Sequence, residues 1–190
     1  LGQRIFQQPF SWKSLGVEVR GRAKTLQINY RTSHQIRMQA DRLLGVEVSD
    51  VDGNVEVRKG TVSVFNGPPP EIKVLKDVTS EIAEVSSWIK SRLLDGVLAE
   101  EIGVFVRSHE QLERARSACL LSGVKFQILD DPRDRKQNAI SVCSMHLAKG
   151  LEFRAVSVMA CDDEVIPLQS RIESVSDGSD LEEVYATERH

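Results

Sequence analysis

The sequence predicts an α/β fold, with a mainly parallel β-sheet flanked by helices. Strand-like and helix-like segments alternate between residues 72 and 129, which is the pattern of successive βαβ units. An uninterrupted apolar run at residues 102–106 is typical of a parallel strand that is covered on both faces. An apolar stripe at helical spacing runs from Val78 to Leu94 and stops before Gly96, as expected for a helix packed on such a sheet.

The first elements predicted are a strand and a helix. Leu26 and Ile28 alternate with polar residues, which indicates a strand. Thr32 and Gln35 have the spacing of a capping box, so we expect a helix to begin there and to end at Gly45.

The next region is less regular. Short apolar segments at residues 55–57 and 62–64 favour two strands that pair as a hairpin, close to an Asp-Gly turn signal at residues 52–53. Three prolines at residues 68–70 form a stiff connector, and residues 72–75 predict a further strand.

The second half continues the alternation. Ser108 and Gln111 predict the start of a helix that ends at Gly123, and residues 124–129 predict the next strand. Two more strands are predicted, from Ile140 to Ser144 and at residues 156–160.

Composition is that of an ordinary globular protein. The chain has 190 residues, of which 41% are hydrophobic, and a net charge of −3, so contact with nucleic acid would need a local basic patch. Its three cysteines are far apart and have neither zinc nor disulfide spacing. No secretory signal or membrane-spanning run is present in the sequence, so we expect a cytoplasmic protein with no membrane partner.

Polar residues cluster between the last two predicted strands: Ser144, His146, Lys149, Gly150 and Glu152. In an open α/β sheet, groups that follow the carboxyl end of a strand line the ligand crevice. This stretch is therefore expected to bring a hydroxyl, an imidazole, an ammonium and a carboxylate close to one bound molecule.

Four segments resemble motifs of the superfamily 1 DNA helicases of the UvrD/Rep kind. The order Ser-x-His-x-Ala-Lys-Gly-Leu-Glu-Phe at residues 144–153 is similar to the fifth motif, and Asn-Tyr-Arg at residues 29–31 to the fourth. Residues 2–6 resemble the tail of the third motif, and residues 188–189 the start of the sixth.

The resemblance implies a second RecA-like (P-loop NTPase-type) domain at residues 25–190, which stops before the end of the sixth motif, with residues 1–24 as an entry segment. We expect the chain to be part of a longer protein, because it starts without Met and stops abruptly. Only residues 130–138 separate two strands where longer members of the family insert an accessory domain, so no accessory-domain insertion is expected.

On the ATP side, the resemblance implies that Arg31 contacts the γ-phosphate and is the catalytic residue. A guanidinium suits this role because its planar fork binds phosphate oxygens and stays protonated. Gln3 would sense phosphate, Glu152 would accept a hydrogen bond from a ribose hydroxyl, and Gly150 would let the backbone approach the nucleotide closely.

On the DNA side, the resemblance implies that Ser144 and His146 contact single-stranded DNA. The alternative is that the hydroxyl and the imidazole form hydrogen bonds only within their own loop. Lys149 is a further DNA-binding candidate, and it has the equal alternative of ordering that loop.

The sequence has no phosphate-binding loop. Gly16 and Gly21 have the right separation, but the next residues are Arg22 and Ala23 rather than Lys followed by Ser or Thr. ATP and Mg²⁺ would therefore be held by a first RecA-like domain of the full-length protein, this chain binds no metal through motifs of its own, and alone it is expected to be inactive.

Two other functions stay open at this point. A helicase-like module could hold nucleic acid or a protein partner without turnover, and the missing accessory domain favours it slightly. A free-standing Rossmann-like protein that binds a small ligand is disfavoured, because the sequence has no Gly-x-Gly-x-x-Gly.

Overall fold

A computed structural model describes residue 16 and residues 28–43, 47–49, 55–57 and 62–173 of the chain. The described residues belong to two compact units, one ending at Ile72 and the other beginning at Lys73.

The first unit contains four short strands and one helix. In chain order they are β1 (Ile28–Asn29), α1 (His34–Leu43), β2 (Glu47–Ser49), β3 (Val55–Val57) and β4 (Val62–Ser63). Strand β1 pairs in parallel with β4, and β2 pairs antiparallel with β3.

The strand predicted at residues 55–57 is present, but the predicted hairpin with residues 62–64 is wrong. Its partner is β2, and the Asp-Gly turn signal at residues 52–53 lies between β2 and β3 in sequence. The Asp-Gly signal therefore lies between the two strands that pair, β2 and β3, and not between β3 and β4.

Helix α1 is capped by Ser33 rather than by Thr32. The Ser33 hydroxyl accepts a hydrogen bond from the Ile36 N–H at 3.4 Å, one residue later than the predicted capping box. The Gln35 side chain instead accepts from the Gly67 N–H at 2.8 Å, which ties the helix to the chain that follows β4.

The second unit contains three α-helices and four strands among the described residues. In chain order they are α2 (Val78–Leu94), β5 (Ile102–Val106), α3 (Leu112–Ser122), β6 (Phe126–Ile128), β7 (Ile140–Ser144), β8 (Ala155–Val158) and α4 (Gln169–Glu173). Its four strands form one parallel sheet in the order β6–β7–β5–β8. The α/β class, with a parallel sheet and flanking helices, is therefore confirmed.

Helix α2 has the predicted bounds because its ends are chemically marked. The Asp77 carboxylate accepts from the Ser80 N–H at 2.7 Å, and Gly96 adopts a φ of +79° after the last turn. The strand predicted at residues 72–75 is wrong, since Ile72 and Val74 are 87% and 96% exposed and the segment has no ladder partner among the described residues.

The central strands β5 and β7 are covered on both faces, whereas Val156 and Val158 of β8 are exposed. Helices α2 and α3 pack on one face, over side chains such as those of Val104 and Val142, which are fully buried. The other face presents Phe105, Leu129 and Cys143, and the connection from β7 to β8 packs on it. Among the described helices, none has the length and apolar character that a membrane crossing needs.

Candidate functional site

Arg31 follows β1 in the first unit, and the side chain of Asn29 fixes the turn that carries it. The Asn29 Oδ1 atom accepts from the Arg31 N–H at 2.9 Å and from the Thr32 N–H at 3.3 Å, while its Nδ2 donates to the Thr32 hydroxyl. An asparagine that bonds to the backbone two residues ahead forms an Asx turn. Arg31 is exposed, and Gln3 lies outside the described residues.

The carboxyl ends of β7 and β5 bring Ser144 next to a residue that the sequence did not single out. Ser144 ends β7 opposite Val106, the last residue of β5, and Arg107 follows directly. Ser144 is half-buried, and Arg107 is buried despite its charge. His146 is exposed in the turn after β7.

Lys149 and Gly150 lie in the connection from β7 to β8, and both are exposed. Gly150 adopts a φ of +89°, and an added Cβ would meet no atom within 4 Å. The conformation therefore requires glycine at this position whatever the neighbouring space. That Gly150 lets the backbone approach a nucleotide closely remains a prediction.

Glu152 lies at the opposite edge of the sheet from Ser144. The Arg154 N–H donates to the Glu101 carbonyl at 2.9 Å, just before β5 and β8 begin. The five residues of β5 separate the two edges by about 16 Å along the strands.

The prediction that all the polar groups surround one molecule is therefore wrong. The reason is topological, because β7 and β8 are parallel and the connection between them must return across the sheet. Its apolar residues pack on the sheet during that return: Met145, Leu147, Ala148, Leu151 and Phe153. Ser144 and His146 stay at the carboxyl edge, whereas Glu152 is exposed at the amino edge.

A charged cluster secures the chain that follows β8. Arg114 on α3 pairs with Glu81 on α2 and with Asp162, and Glu81 also accepts from the Ala160 N–H at 2.8 Å. Ala160 is fully buried and adopts a φ of +58°, which is uncommon for a residue with a Cβ. Burial alone would lower the pKa of Arg114, but its hydrogen bond to Asp162 and the two carboxylates raise it above the ordinary value.

No group of three or more His, Cys, Asp or Glu side chains is arranged to hold a metal ion within the described part of the chain. The described residues assigned to ATP are an arginine, a glycine and a single carboxylate, whereas the fourth, Gln3, lies outside the described residues. Such side chains suit hydrogen bonds to phosphate and ribose groups.

Comparison with known proteins adds no family assignment to this geometry. No protein-family model, curated protein sequence or solved structure matches the chain.

Proposed function

We propose that this chain is the second, RecA-like motor domain of an ATP-dependent DNA helicase or translocase of the UvrD/Rep kind. The observation that carries the proposal is the course of residues 144–153, whose sequence resembles the fifth helicase motif. This single segment runs from the carboxyl edge of a parallel sheet to its amino edge. Such a course lets one motif serve two ligands, with DNA at one end and ATP at the other.

The residues that the resemblance assigns to ATP are Arg31 in the first unit, Gly150 and Glu152 in the second unit, and Gln3. Phosphoryl transfer depends mainly on positioning and on neutralising the charge of the phosphates. Arg31 supplies a positive charge on a turn held by hydrogen bonds to Asn29. The first RecA-like domain of the full-length protein supplies the phosphate-binding loop and the Mg²⁺ ligands, so this chain is half of an ATP site.

The DNA contacts come from Ser144 and His146, which bind a single strand at the carboxyl edge, and from Lys149 in the connection that follows. The hydroxyl and the imidazole hydrogen-bond to phosphates or bases, and the ammonium adds charge. The buried guanidinium of Arg107 next to Ser144 adds positive potential at the same edge. Binding of this kind tolerates many sequences and weakens steeply with salt.

The test is the DNA-stimulated ATPase of the full-length protein with Arg31→Ala. We expect turnover to fall about a hundredfold or more, the usual loss when one preorganised charge-stabilising donor is removed. Arg31→Lys keeps the charge but loses the planar fork, and it should recover only part of the rate. Arg42→Ala is the matched control, because Arg42 is an exposed arginine of the same unit whose guanidinium donates to Gln39 at 2.9 Å.

Turnover of Arg31→Ala within about twofold of the wild type, equivalent to ~0.4 kcal/mol, would exclude the role assigned to Arg31.

One observation favours a second candidate, a nucleic-acid-binding or protein-binding module without turnover. The adjacent strands β6 and β7 are joined by a short loop with no space for an accessory domain. Salt-sensitive DNA binding by a full-length protein that hydrolyses no ATP would support that module.

A further inference from the structure

The loop that joins β6 to β7 reaches the amino edge of the sheet, where Glu152 lies. Two backbone contacts hold this loop on the second unit: the Lys136 N–H donates to the Gln127 side chain at 3.1 Å, and the Asn138 N–H donates to the Glu100 carboxylate at 3.0 Å. Arg135 lies in this loop, directly before Lys136, and its position is therefore constrained although it is exposed.

The guanidinium of Arg135 contacts two neighbouring segments of backbone. Its Nη1 donates to the carbonyl of Glu152 at 3.3 Å, and its Nη2 donates to the carbonyl of Glu100 at 2.5 Å. Glu100 precedes β5, so one planar side chain fastens the backbone of Glu152 to the start of the central strand. A lysine would offer a single ammonium nitrogen on a flexible stem instead of a planar fork, so it would hold the two carbonyls less firmly.

The same guanidinium also covers the ring of Phe153. The Arg135 Cζ atom lies 4.5 Å from the centroid of that ring, within the range of a cation–π contact. Beneath it, Phe153 packs edge-to-face on Phe105 of β5, with centroids 5.5 Å apart and planes at 76°. Gly103 makes room for these rings, since a Cβ there would lie 2.7 Å from Phe105 and 3.1 Å from Phe153.

These contacts fix the backbone on the carboxyl side of Glu152. The carbonyl of Glu152 is held by Arg135, and the next residue, Phe153, is held between the guanidinium and a ring of the sheet. We infer that Arg135 is a positioning residue for the nucleotide site, which holds the backbone so that the Glu152 carboxylate meets a ribose hydroxyl. This inference rests on the proposed function, because it assumes that Glu152 binds the ribose.

The neighbouring Arg133 is the matched control for charge and exposure. It lies two residues earlier in the same loop, and its guanidinium bonds to the carboxylate of Asp131 within that loop. Removing Arg133 therefore changes the net charge by the same amount without releasing the backbone of Glu152.

The experiment measures the KM of the full-length protein for ATP, for 2′-deoxy-ATP and for 3′-deoxy-ATP. The quantity compared is the preference for ATP over each deoxy analogue, because only a group that acts on the ribose changes it. We expect Glu152→Ala to reduce the preference for one hydroxyl by about tenfold, the value of one charge-assisted hydrogen bond. Arg135→Ala should reduce the same preference about threefold, or roughly half of that free energy, and Arg135→Lys should restore little of it.

The outcomes separate this inference from the proposed function. A reduced preference in Glu152→Ala and Arg135→Ala, with Arg133→Ala like the wild type, supports the positioning role. An Arg135→Ala protein that keeps the full preference, while Glu152→Ala loses it, overturns the positioning role and leaves the nucleotide contact in place. A Glu152→Ala protein with unchanged preference overturns the ribose contact of Glu152 and, with it, the positioning role of Arg135. If Arg135→Ala proves unstable on heating, Arg135→Lys decides the matter by the same comparison.

Discussion

At the scale of single residues, Asn29 is uncharged, yet its side chain fixes the turn that contains Arg31. Its carboxamide oxygen accepts two backbone N–H groups, and one of them belongs to Arg31. Its amide nitrogen donates to the Thr32 hydroxyl, so the turn is bonded on both sides. The asparagine at position 29 therefore has a local structural reason that is independent of any resemblance.

This arrangement predicts that Asn29→Ala lowers the DNA-stimulated ATPase of the full-length protein. The substitution removes the two hydrogen bonds to backbone N–H groups of the turn as well as the bond to the Thr32 hydroxyl. The two backbone bonds contribute about 1 kcal/mol each, so we expect kcat to fall by about thirtyfold. Asn29→Asp keeps an acceptor oxygen for both N–H groups and should retain most of the rate. Equal rates for the wild type and Asn29→Ala would show that the turn is held by other contacts.

The sequence predicts site residues whose chemistry stands in a local pattern, and it gives no sign of residues that come next to them only through strand register. Ser144 and Glu152 stand in one contiguous motif, so the sequence alone was enough to propose them. Arg107 is next to Ser144 only because β5 pairs with β7, and Arg135 meets Glu152 only because a loop folds back over the sheet. Neither relation is visible in the spacing of the sequence.

At the scale of elements, the helices were the easiest to predict because their ends carry chemical signals. The bounds of α2 agree with the apolar stripe, and α3 ends before Gly123, which has a φ of +73°. Strand pairing could not be predicted in the first unit, since segments of two or three residues contain too little pattern to choose a partner.

The charged cluster joins three elements, because Glu81 lies on α2, Arg114 on α3 and Asp162 in the chain after β8. It also surrounds Cys161, which is exposed and lies between Ala160 and Asp162. The pKa of the Cys161 thiol is raised by partial burial and by the carboxylates of Glu81 and Asp162. Because the thiolate is the reactive form, these charges slow its reaction with thiol reagents.

We therefore expect Glu81→Gln to speed the reaction of Cys161 with a thiol reagent at pH 7–8. The amide can still accept from the Ala160 N–H, while loss of the negative charge lowers the pKa of the thiol and increases the thiolate fraction. The other two thiols do not compete, since burial raises the pKa of Cys119 to about 12 and of Cys143 to about 11.

Glu84→Gln is the control for this measurement. Glu84 lies on the same helix and pairs with Lys73, so the variant removes an identical charge away from the cluster. A labelling rate that rises equally in both variants, or that stays unchanged in Glu81→Gln, would contradict the proposed effect of the Glu81 charge on Cys161.

At the scale of the whole molecule, the topology of the sheet of the second unit determines how the candidate site is divided. Parallel β7 and β8 begin at the same edge, so a short motif between them has to reach both edges. The sequence showed which residues the motif contains, but the sheet order β6–β7–β5–β8 was needed to separate Ser144 and His146 from Glu152. Under the proposed function, the separation of the DNA contacts from the ATP contacts is then a consequence of strand direction.

This separation predicts that DNA binding and ATP binding respond to different substitutions in the full-length protein. Combined Ser144→Ala and His146→Ala should weaken single-stranded DNA binding about tenfold, the value of about 1.4 kcal/mol of lost contacts, and leave the KM for ATP unchanged at saturating DNA. Glu152→Ala should raise the KM for ATP with DNA affinity unchanged. Lys149→Ala should lower the slope of log affinity against log salt by about 0.7, the contribution of one phosphate contact on a single strand. If the Ser144 and His146 substitutions raised the KM for ATP as much as Glu152→Ala does, the two edges would not bind separate ligands. An unchanged salt slope in Lys149→Ala would instead indicate that this lysine orders its loop and does not contact DNA.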